Sequence, residues 1–588
     1  MRPTIEDLEN ALEIPFPASE KLRLEDSRRL TGPGLLWDKP GAIVEVEVHG
    51  IPLGEVERVW AHWAQQILKA VDWDSEHCCS RRHEAGLNLA ISAPMDQLYS
   101  AIFVAQAAWH YSVCELLDCT SEPLNQLLTN LKAVMINEAN PQLITLQQAA
   151  AKHRVDFLCD DDAISLGHGC GSHTWPIDQL PHPDQVDWAI LHDVPVAMVT
   201  GTNGKSTCVR LASAIATAAD KVAGVTSTDF VRVGQDILDQ GDYSGPGGAR
   251  MLLRDQRLEV AFLEVARGGI LRRGLALQRA QAALITNVAA DHLGQYGINT
   301  VAALTEAKFS VFRTLAEGGV LVLNADDEGL VRHALGLAEE VVHRGITISW
   351  FSLTPNNPCI TEAQTNHLPC AWLEDHSLWY FDGSSSQLII DVRDVPITMG
   401  GAARYNIQNA LGVLCLCFAF ALPVESVRRG LTNFHSNPQD NPGRGNEFQV
   451  DGARVFVDFA HNPHSISALS ETMKRIPARR RILMLGHAGD RSDGEICELT
   501  AGACALAPDY VVITEEPDYL RGRNDGDVSE VIRKECLRLG LNETQLKFSA
   551  NPLLGTECAM NLLQPGDLAL LLVHSHRDEV IKLLTRGH

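Results

Sequence analysis

The chain has 588 residues and a formal net charge of -25, with hydrophobic residues at 45% and charged residues at 21%. This length is too great for a single hydrophobic core and predicts about three or four domains. A chain with this negative net charge shows no excess of basic residues that would bind a nucleic-acid backbone or an anionic membrane, so we expect neither partner. The amino terminus has no apolar core of signal-peptide length, and no run of about 18 apolar residues follows, so the expected location is cytoplasmic.

The first 140 residues carry the weakest pattern. Ala42 to Val48 alternates between apolar and polar residues, which predicts a half-buried strand, and Gln97 to Leu117 has apolar residues at helical spacing. Together they predict an α+β domain, taken as residues 1–160. No nucleotide loop and no nucleophile with a base stands out here, so the domain is interpreted as a scaffold or as a contact in a homo-oligomer, dimer or tetramer. Residues 161–193, with a Gly-rich stretch and a Pro-rich stretch, are predicted to be a linker.

A glycine loop follows the apolar run from Val194 to Val199 and precedes a helix-like segment from Cys208 to Ala219. Backbone N–H groups and the helix dipole converge on one place in such a loop, and a lysine adds a full charge, so the pattern predicts a phosphate site. A serine hydroxyl there can bind a Mg²⁺ that bridges the phosphates. Because Val199 stands where the strict motif has glycine, a chance turn before a helix is the alternative, which the flanking strand and helix disfavour. The loop residues are Gly201, Thr202, Asn203, Gly204, Lys205, Ser206 and Thr207.

Short apolar segments then alternate with helical ones. Segments 222–225, 260–263, 282–286 and 319–323 are predicted strands of a parallel sheet with helices on both faces. Such sheets bind nucleotides at the carboxyl ends of their strands. Glu264, Asn287, Asp291 and His292 follow two of these strands, where a carboxylate and an imidazole can serve as Mg²⁺ ligands or lie just outside them. Taken one at a time, such residues are more often plain helix caps or polar loop groups, but their common placement at strand ends of the same sheet favours the site.

The last part of the chain repeats the α/β pattern. Segment 400–422 is predicted to be a buried core helix, and from Gly443 onward strands are predicted at 455–458, 481–485, 510–514 and 568–573. Polar residues again follow the strands. The pattern predicts a separate Rossmann-like domain, with the active site where it meets the first α/β domain.

From about Val194 to the end, ordered motifs resemble those of the Mur ligase superfamily and, within it, the carboxy-terminal half of the cyanophycin synthetases. The motifs are Gly201 to Thr207, Gly241 to Pro246, Leu263 to Arg272, Thr286-Asn287 with Asp291 to Gly294, Leu323 to Asp327, Pro442 to Arg444, Asp458 to Pro463, and Arg521 to Arg523. The resemblance implies an α/β fold with a Mur ligase-like P-loop central ATP-binding domain at 194–435 and a Rossmann-like C-terminal domain at 436–588, preceded by the α+β N-terminal domain.

The amino-terminal region resembles the same synthetases more weakly. Leu30 to Trp37 is similar to the opening of their N-domain, and Ser165 to Gly169 to the segment that leads into their ATP-grasp module. Here the Pro-rich stretch passes straight to the phosphate loop. The resemblance therefore implies a relative without the ATP-grasp module, with residues 161–193 as its remnant.

The resembling family forms amide bonds with ATP and Mg²⁺ through an acyl phosphate. The resemblance implies a ligase of the acid–amino-acid class that joins an amino acid to a carboxylate of a small peptide, amino acid or metabolite. It implies Lys205 on the β- and γ-phosphates, Ser206, Glu264 and His292 around Mg²⁺, Asn287, Asn406 and Asn409 near the nucleotide, Arg444 on the γ-phosphate, Asp458 on the ribose, and Lys308 at the position of a lysine that is carbamylated in several members.

Two residues depart from the family pattern. Tyr405 stands where many members have histidine, and Gly294 where peptidoglycan ligases often have aspartate. Two alternatives remain open: a peptidoglycan-precursor ligase, which the amino-terminal domain disfavours, and a non-catalytic nucleotide-binding partner of another ligase. The second is disfavoured because a scaffold does not need Lys205, Glu264, His292 and Arg444 together.

Overall fold

The computed structural model describes residues 3–586, which form sheets of four, three, eleven and six strands. Within this range no helix has the length and apolar character needed to cross a membrane.

The amino-terminal region is an antiparallel sheet, ordered β1-β2-β4-β3, that packs against helices. The predicted strand and helix are present, but the predicted half-burial of the strand is wrong. Ala42, Val44 and Val46 pack into the helical side, while Ile43 packs with Leu30 on the face that meets the next α/β region. Both faces are therefore covered. Its elements are α1 (Ile5–Glu9), β1 (Leu22–Leu30), β2 (Gly41–Val48), α2 (Leu53–Ala70), β3 (Cys78–His83), β4 (Gly86–Ser92), α3 (Leu98–Leu116) and α4 (Leu124–Glu138).

The segment predicted as a linker contains regular structure. After α5 (Pro141–His153), strands β5 (Phe157–Cys159), β6 (Ala163–Leu166) and β7 (His173–Pro176) form a small antiparallel sheet with its own apolar cluster. Arg279 of the middle region anchors this small sheet, because its guanidinium donates to Asp156 at 2.7 Å and to Asp193 at 2.8 Å. The domain boundaries drawn from the sequence remain predictions.

The middle region is built on the eleven-stranded sheet, ordered β11-β10-β9-β12-β8-β13-β14-β15-β16-β17-β18. Strands β9 to β16 in this order are parallel, and the outer strands are antiparallel. The four predicted strands are present, and so is the buried helix, α13. The elements are β8 (Val196–Thr200), α6 (Lys205–Ala218), β9 (Ala223–Thr226), β10 (Phe230–Val233), β11 (Asp236–Gln240), α7 (Pro246–Leu253), β12 (Val260–Glu264), α8 (Arg267–Arg273), β13 (Ala280–Ile285), α9 (Val301–Lys308), β14 (Leu315–Asn324), α10 (Glu328–Gly336), α11 (Ala338–His343), β15 (Thr347–Ser352), α12 (Pro358–Thr365), β16 (Cys370–Glu374), β17 (Ser377–Phe381), β18 (Ser386–Asp391), α13 (Arg404–Ala419) and α14 (Val424–Asn433).

The carboxy-terminal region is a six-stranded sheet, ordered β19-β20-β24-β21-β22-β23, in which only β19 runs antiparallel. The four predicted strands are all present. With both parallel-sheet regions in place, the predicted α/β class is confirmed. The elements are β19 (Arg444–Val450), β20 (Ala453–Asp458), α15 (Pro463–Arg475), β21 (Arg481–Leu485), α16 (Asp493–Cys504), β22 (Tyr510–Thr514), α17 (Asp527–Arg538), β23 (Leu546–Ser549), α18 (Pro552–Leu562), β24 (Leu568–Leu572) and α19 (Arg577–Arg586).

The helix that follows the phosphate loop, α6, is held from outside by α14. A Cβ on Gly430 of α14 would lie 2.5 Å from the Cα of Ile215 in α6, which is closer than packed atoms can approach. Gly336, at the end of α10, has no heavy atom within 4 Å of the same position. These two glycines therefore provide a matched pair of helical sites, one crowded and one open.

We expect Gly430→Ala to lower the free energy of unfolding by roughly 1–3 kcal/mol, because the added methyl forces α14 away from α6. Gly336→Ala should be neutral or stabilise by up to about 1 kcal/mol, because alanine restricts the unfolded chain and favours helix. Urea unfolding followed by circular dichroism measures both. Equal midpoints for Gly430→Ala and the unmodified protein would contradict the close packing.

Candidate functional site

The phosphate loop connects β8 to α6, and two of its glycines have backbone angles in the left-handed region. Gly201 has φ +145° and Gly204 has φ +89°. A Cβ on Gly201 would lie 1.9 Å from the Thr286 hydroxyl oxygen, and one on Gly204 would lie 2.3 Å from the Asn409 amide oxygen. Only glycine fits both places, so the loop lies directly against its neighbours and leaves the amino-terminal end of α6 facing the cavity.

Strand order places the other predicted residues beside this loop. Strand β8 lies between β12 and β13, and Glu264 at the end of β12 pairs with Val199. Asn287, just after β13, braces the loop: its Oδ1 accepts from the Asn203 N–H at 3.1 Å, and its Nδ2 donates to the Asn203 carbonyl at 3.1 Å. Asn287 thus holds the loop in shape as well as lining a cavity.

Two lysines, the buried Lys308 and the half-buried Lys205, meet at one carbonyl of the loop. Lys205 Nζ donates to the carbonyls of Gly201 at 3.0 Å and Thr202 at 2.9 Å, and Lys308 Nζ, from α9, donates to Gly201 at 2.8 Å. Burial lowers the pKa of both amines, and the nearby Lys205 charge lowers the pKa of Lys308 further. The two amino groups therefore lie close together at the loop, where phosphate oxygens would bind.

Oxygen ligands suited to Mg²⁺ converge on the same point. Ser206 Oγ lies 3.3 Å from Thr228 Oγ1, and Glu264 Oε2 accepts from the Thr228 N–H at 3.3 Å. Glu264 and Ser206 are both buried. A hydroxyl and a carboxylate next to a phosphate loop are the hard ligands that Mg²⁺ prefers, so these residues fit that ion. Thr207 Oγ1 is engaged differently, accepting from Asn441 Nδ2 at 3.2 Å.

A large cavity, about 880 Å³, lies between the middle and carboxy-terminal regions. It is lined from the first by Gly201 to Thr207, Glu264, His292 and Lys308, and from the second by Arg444, His461 and the segment from His574 to Glu579. The predicted phosphate, Mg²⁺ and lysine residues thus face one space. Arg444 lies with its guanidinium carbon 5.0 Å from the ring centroid of Phe459, which holds the side chain over the cavity.

A second cavity of about 100 Å³ adjoins the first and holds the remaining predicted residues. It is lined by Asn203, Gly204, Thr207, Asn287, Tyr405, Asn406, Asn409, Arg444 and Asp458, among others. Asn409 Nδ2 donates to Asn406 Oδ1 at 3.1 Å, and Asn406 Nδ2 donates to the Ile397 carbonyl at 2.8 Å. Burial raises the pKa of Asp458 to about 6, and its Oδ1 accepts from the Ala460 N–H at 2.7 Å.

Several residues that line these cavities or lie beside them were assigned no role from the sequence. Asn462 pairs its amide with that of Asn203 across the two regions, at 2.9 and 3.2 Å. His461 lines both cavities, and its position after a strand end was a usable signal. Arg577, at the start of α19, ion-pairs with Asp229, which also pairs with the fully buried Arg210. No local pattern in the sequence pointed to Arg577.

Two family models match the chain. The Mur ligase middle domain matches residues 199–417, and the Mur ligase, glutamate ligase domain matches residues 443–572. Together the matches cover more than half of the 588 residues. The chain belongs to the Mur ligase superfamily. The resemblance stated from the motifs is thereby confirmed at the level of the superfamily, while the residues before 199 lie outside both matches.

Among known proteins, the chain is 36% identical over 339 residues to the cyanophycin synthetase of Crocosphaera subtropica, a match that covers 58% of this chain and 38% of that protein. The chain thus spans well under half the length of this relative. It is 23% identical over 374 residues to the UDP-N-acetylmuramoyl-L-alanyl-D-glutamate--2,6-diaminopimelate ligase of Listeria monocytogenes, covering 59% and 70% of the two chains. A solved structure of E. coli FolC in complex with ADP shares 19% identity, with a TM-score of 0.48 and coverage of 67% and 90%.

The raised pKa of Asp458 leads to a prediction on nucleotide binding. If the ribose hydroxyls donate to this carboxylate, ADP should bind well above pH 6, where Asp458 is ionised, and affinity should fall by up to about tenfold per pH unit below it. Asp458→Asn should bind weakly at pH 8 and lose most of this slope. Calorimetric ADP titrations between pH 5 and 8 measure the pH dependence of the affinity in both proteins. An unchanged slope in the variant would assign the dependence to another group.

Proposed function

We propose that the chain is an ATP- and Mg²⁺-dependent ligase that forms an amide or isopeptide bond between an amino acid and a carboxylate of a small peptide, amino acid or metabolite. The observation that carries the proposal is the single cavity in which the phosphate loop with Lys205, and Lys308 and Glu264 of the middle region, face Arg444 of the carboxy-terminal region. Membership of the Mur ligase superfamily supports it, as do relatives whose names are those of a synthetase and a ligase.

The proposed reaction has two steps. The acceptor carboxylate attacks the γ-phosphorus of ATP, giving an acyl phosphate and ADP. The amino group of the incoming amino acid then attacks the acyl carbon, phosphate leaves, and the nitrogen gives up a proton to form the amide. Phosphoryl transfer depends mainly on positioning and on stabilising charge, so a site of this kind needs fixed cations more than a nucleophile.

The residues can be assigned to these tasks. Lys205 contacts the β- and γ-phosphates from the loop, and Arg444 approaches the γ-phosphate from the opposite region. Ser206, Glu264 and His292 would hold Mg²⁺, which would supply charge that neutralises the phosphate oxygens. Lys308 is proposed to be carbamylated, as the resemblance implies. Its low pKa favours the neutral amine, which is the form that reacts with carbon dioxide.

The second cavity is proposed to hold the nucleoside. Asn406, Asn409 and Asn287 present amide groups to the base, and Asp458 accepts from the ribose hydroxyls. Gly204 of the phosphate loop has no side chain and lines both cavities, so we propose that the nucleotide extends from one cavity into the other. The open part of the larger cavity is then left for the acceptor and the amine.

Lys205→Ala should lower ADP formation by about 100-fold or more while the protein stays folded, because the lysine contacts charge that develops on the transferred group. Lys221→Ala is the matched control, since Lys221 is an exposed lysine 3.7 Å from Glu259 on the outside of the same region. A coupled ADP-release assay with a panel of amino acids and acceptors measures both. Turnover within a few-fold of the unmodified protein in Lys205→Ala would exclude this loop as the catalytic phosphate site.

A second prediction concerns the number of bond types. Each type of bond needs its own acyl phosphate within attack distance of its own amine, and the described residues contain one phosphate loop facing one large cavity. The purified protein with ATP, Mg²⁺ and an acceptor should therefore give a discrete product and one ADP per bond. Mass spectrometry of the products decides this. A ladder of masses that rises by two alternating residue increments would contradict a single bond type.

A further inference from the structure

Two cysteines of the carboxy-terminal region lie in contact, and neither lines the two cavities described above. Cys504 is the last residue of α16, and Cys536 lies in the last turn of α17. Their sulfur atoms are 3.9 Å apart, which is a contact distance for two thiols. The two positions are separated by 32 residues of the chain, so the contact is made by the packing of the two helices and not by a local turn.

The helices that carry these cysteines run side by side in the same direction. At their amino-terminal ends, Arg523, just before α17, forms a 2.7 Å ion pair with Asp493 at the start of α16. At their carboxy-terminal ends the two sulfurs meet. Apolar residues of both helices pack in one cluster, including Leu499 of α16 and Ile532 of α17. The contact between the sulfurs is therefore maintained by packing along both helices.

The two thiols differ in their access to solvent. Cys504 is partly exposed, whereas Cys536 is buried. The S–H of Cys504 donates to the Cys536 sulfur, and this hydrogen bond lowers the pKa of Cys536 and raises the pKa of Cys504. Redox-responsive cysteines pair an accessible sulfur with a second sulfur that resolves the oxidised form. A sulfur that ionises readily is suited to the second role, because the thiolate is the attacking species.

Closing a bond between the sulfurs needs only a small movement. A disulfide joins its sulfurs at about 2.05 Å, so the pair must approach by about 1.9 Å. Both cysteines lie where their helices end. The Cys504 carbonyl accepts from the Ala507 N–H at 2.9 Å, and the Cys536 carbonyl accepts from the Leu541 N–H at 3.1 Å, in the turns that follow the helices. Helix ends adjust more readily than helix interiors, so the approach can be made there.

We propose that Cys504 and Cys536 form a reversible redox site, in which hydrogen peroxide converts the two thiols into a disulfide that joins α16 to α17. The Cys504 sulfur attacks one peroxide oxygen, the O–O bond breaks, and the thiol proton passes to the leaving hydroxide, giving a sulfenic acid and water. The Cys536 sulfur then attacks the Cys504 sulfur, the S–O bond breaks, and the leaving hydroxide takes the Cys536 proton as a second water. The two thiols are oxidised by the loss of two hydrogens, and the peroxide is reduced to two waters.

The disulfide acts on parts of the structure that lie away from the sulfurs. A crosslink between two helices restricts the unfolded chain and so stabilises the folded region. Helix α16 begins two residues after Arg491, which donates to the His461 carbonyl at 2.8 Å, and His461 lines the large cavity. Fixing one end of α16 therefore limits the movement of the end that supports His461. Formation of the disulfide does not depend on the proposed function.

The test is oxidation of the folded full chain with hydrogen peroxide, followed by alkylation of the remaining thiols, digestion and mass spectrometry. We expect two peptides joined through Cys504 and Cys536, with a mass two hydrogens below that of the separate peptides, and released by dithiothreitol. Cys504→Ser should lack the joined pair. Cys497→Ser, which removes a partly exposed thiol from the same helix, is the matched control and should retain it.

Thermal unfolding gives a second measurement. Oxidation should raise the melting temperature of the unmodified protein and of Cys497→Ser by roughly 5 °C, and should not raise that of Cys504→Ser. Circular dichroism checks that each variant is folded, and Cys536→Ala repeats the test from the other helix. Oxidation of the exposed Cys170 while Cys504 and Cys536 remain free thiols would overturn the site. A disulfide from Cys536 to Cys497, or a Cys504 that stops at a sulfinic acid, would overturn it as well.

Discussion

The site depends on the close approach of the loop after β8 to its neighbours. Strand β8 lies near the middle of the eleven-stranded sheet, flanked by β12 and β13, and all three end at the same edge. Gly201 and Gly204 let the loop backbone touch Thr286 and Asn409. Any side chain at either glycine would displace the loop, and with it the start of α6. The positions of Lys205 and Ser206 therefore follow from two residues that have no side chain.

The carboxy-terminal region is joined to this loop by polar contacts. The paired amides of Asn203 and Asn462 link the loop itself to the start of α15. Farther in, Arg210 and Arg577 both bind Asp229, and these arginines hold the pKa of Asp229 below its usual value, although burial opposes this. A carboxylate shared by a buried and a half-buried arginine is costly to break, because a charge would remain unpaired. These contacts fix where Arg444 and His461 lie relative to the phosphate loop.

The sequence predicted the parts of the fold in which local pattern and tertiary role agree. The predicted strands of the parallel core are short apolar runs followed by polar residues, and the phosphate loop has a recognisable spacing, so these were found. The parallel strands β15 and β16 were not predicted. The edge strands were missed because β11 is exposed along its whole length and lacks a buried face. Half-burial of β2 was predicted wrongly because Glu45 looked solvent-facing, whereas it is buried against Arg28. Contacts such as Arg577 with Asp229 join residues far apart in sequence, so no local pattern could reveal them.

The amino-terminal region, which gave the weakest sequence signal, lies against the elements that carry the site. Arg28 donates to the Leu271 carbonyl at 3.1 Å near the end of α8, and Arg81 forms a 2.9 Å ion pair with Glu306 on α9. Helix α8 begins at Arg267, which holds the His292 backbone, and α9 ends at Lys308, which contacts the phosphate loop. Both helices therefore contact the amino-terminal region on one side and line the large cavity on the other. Because packed helices move as rigid units, a change in how the amino-terminal region packs against α8 and α9 would be transmitted to His292 and Lys308. The amino-terminal region is in this way part of the support on which the candidate site depends.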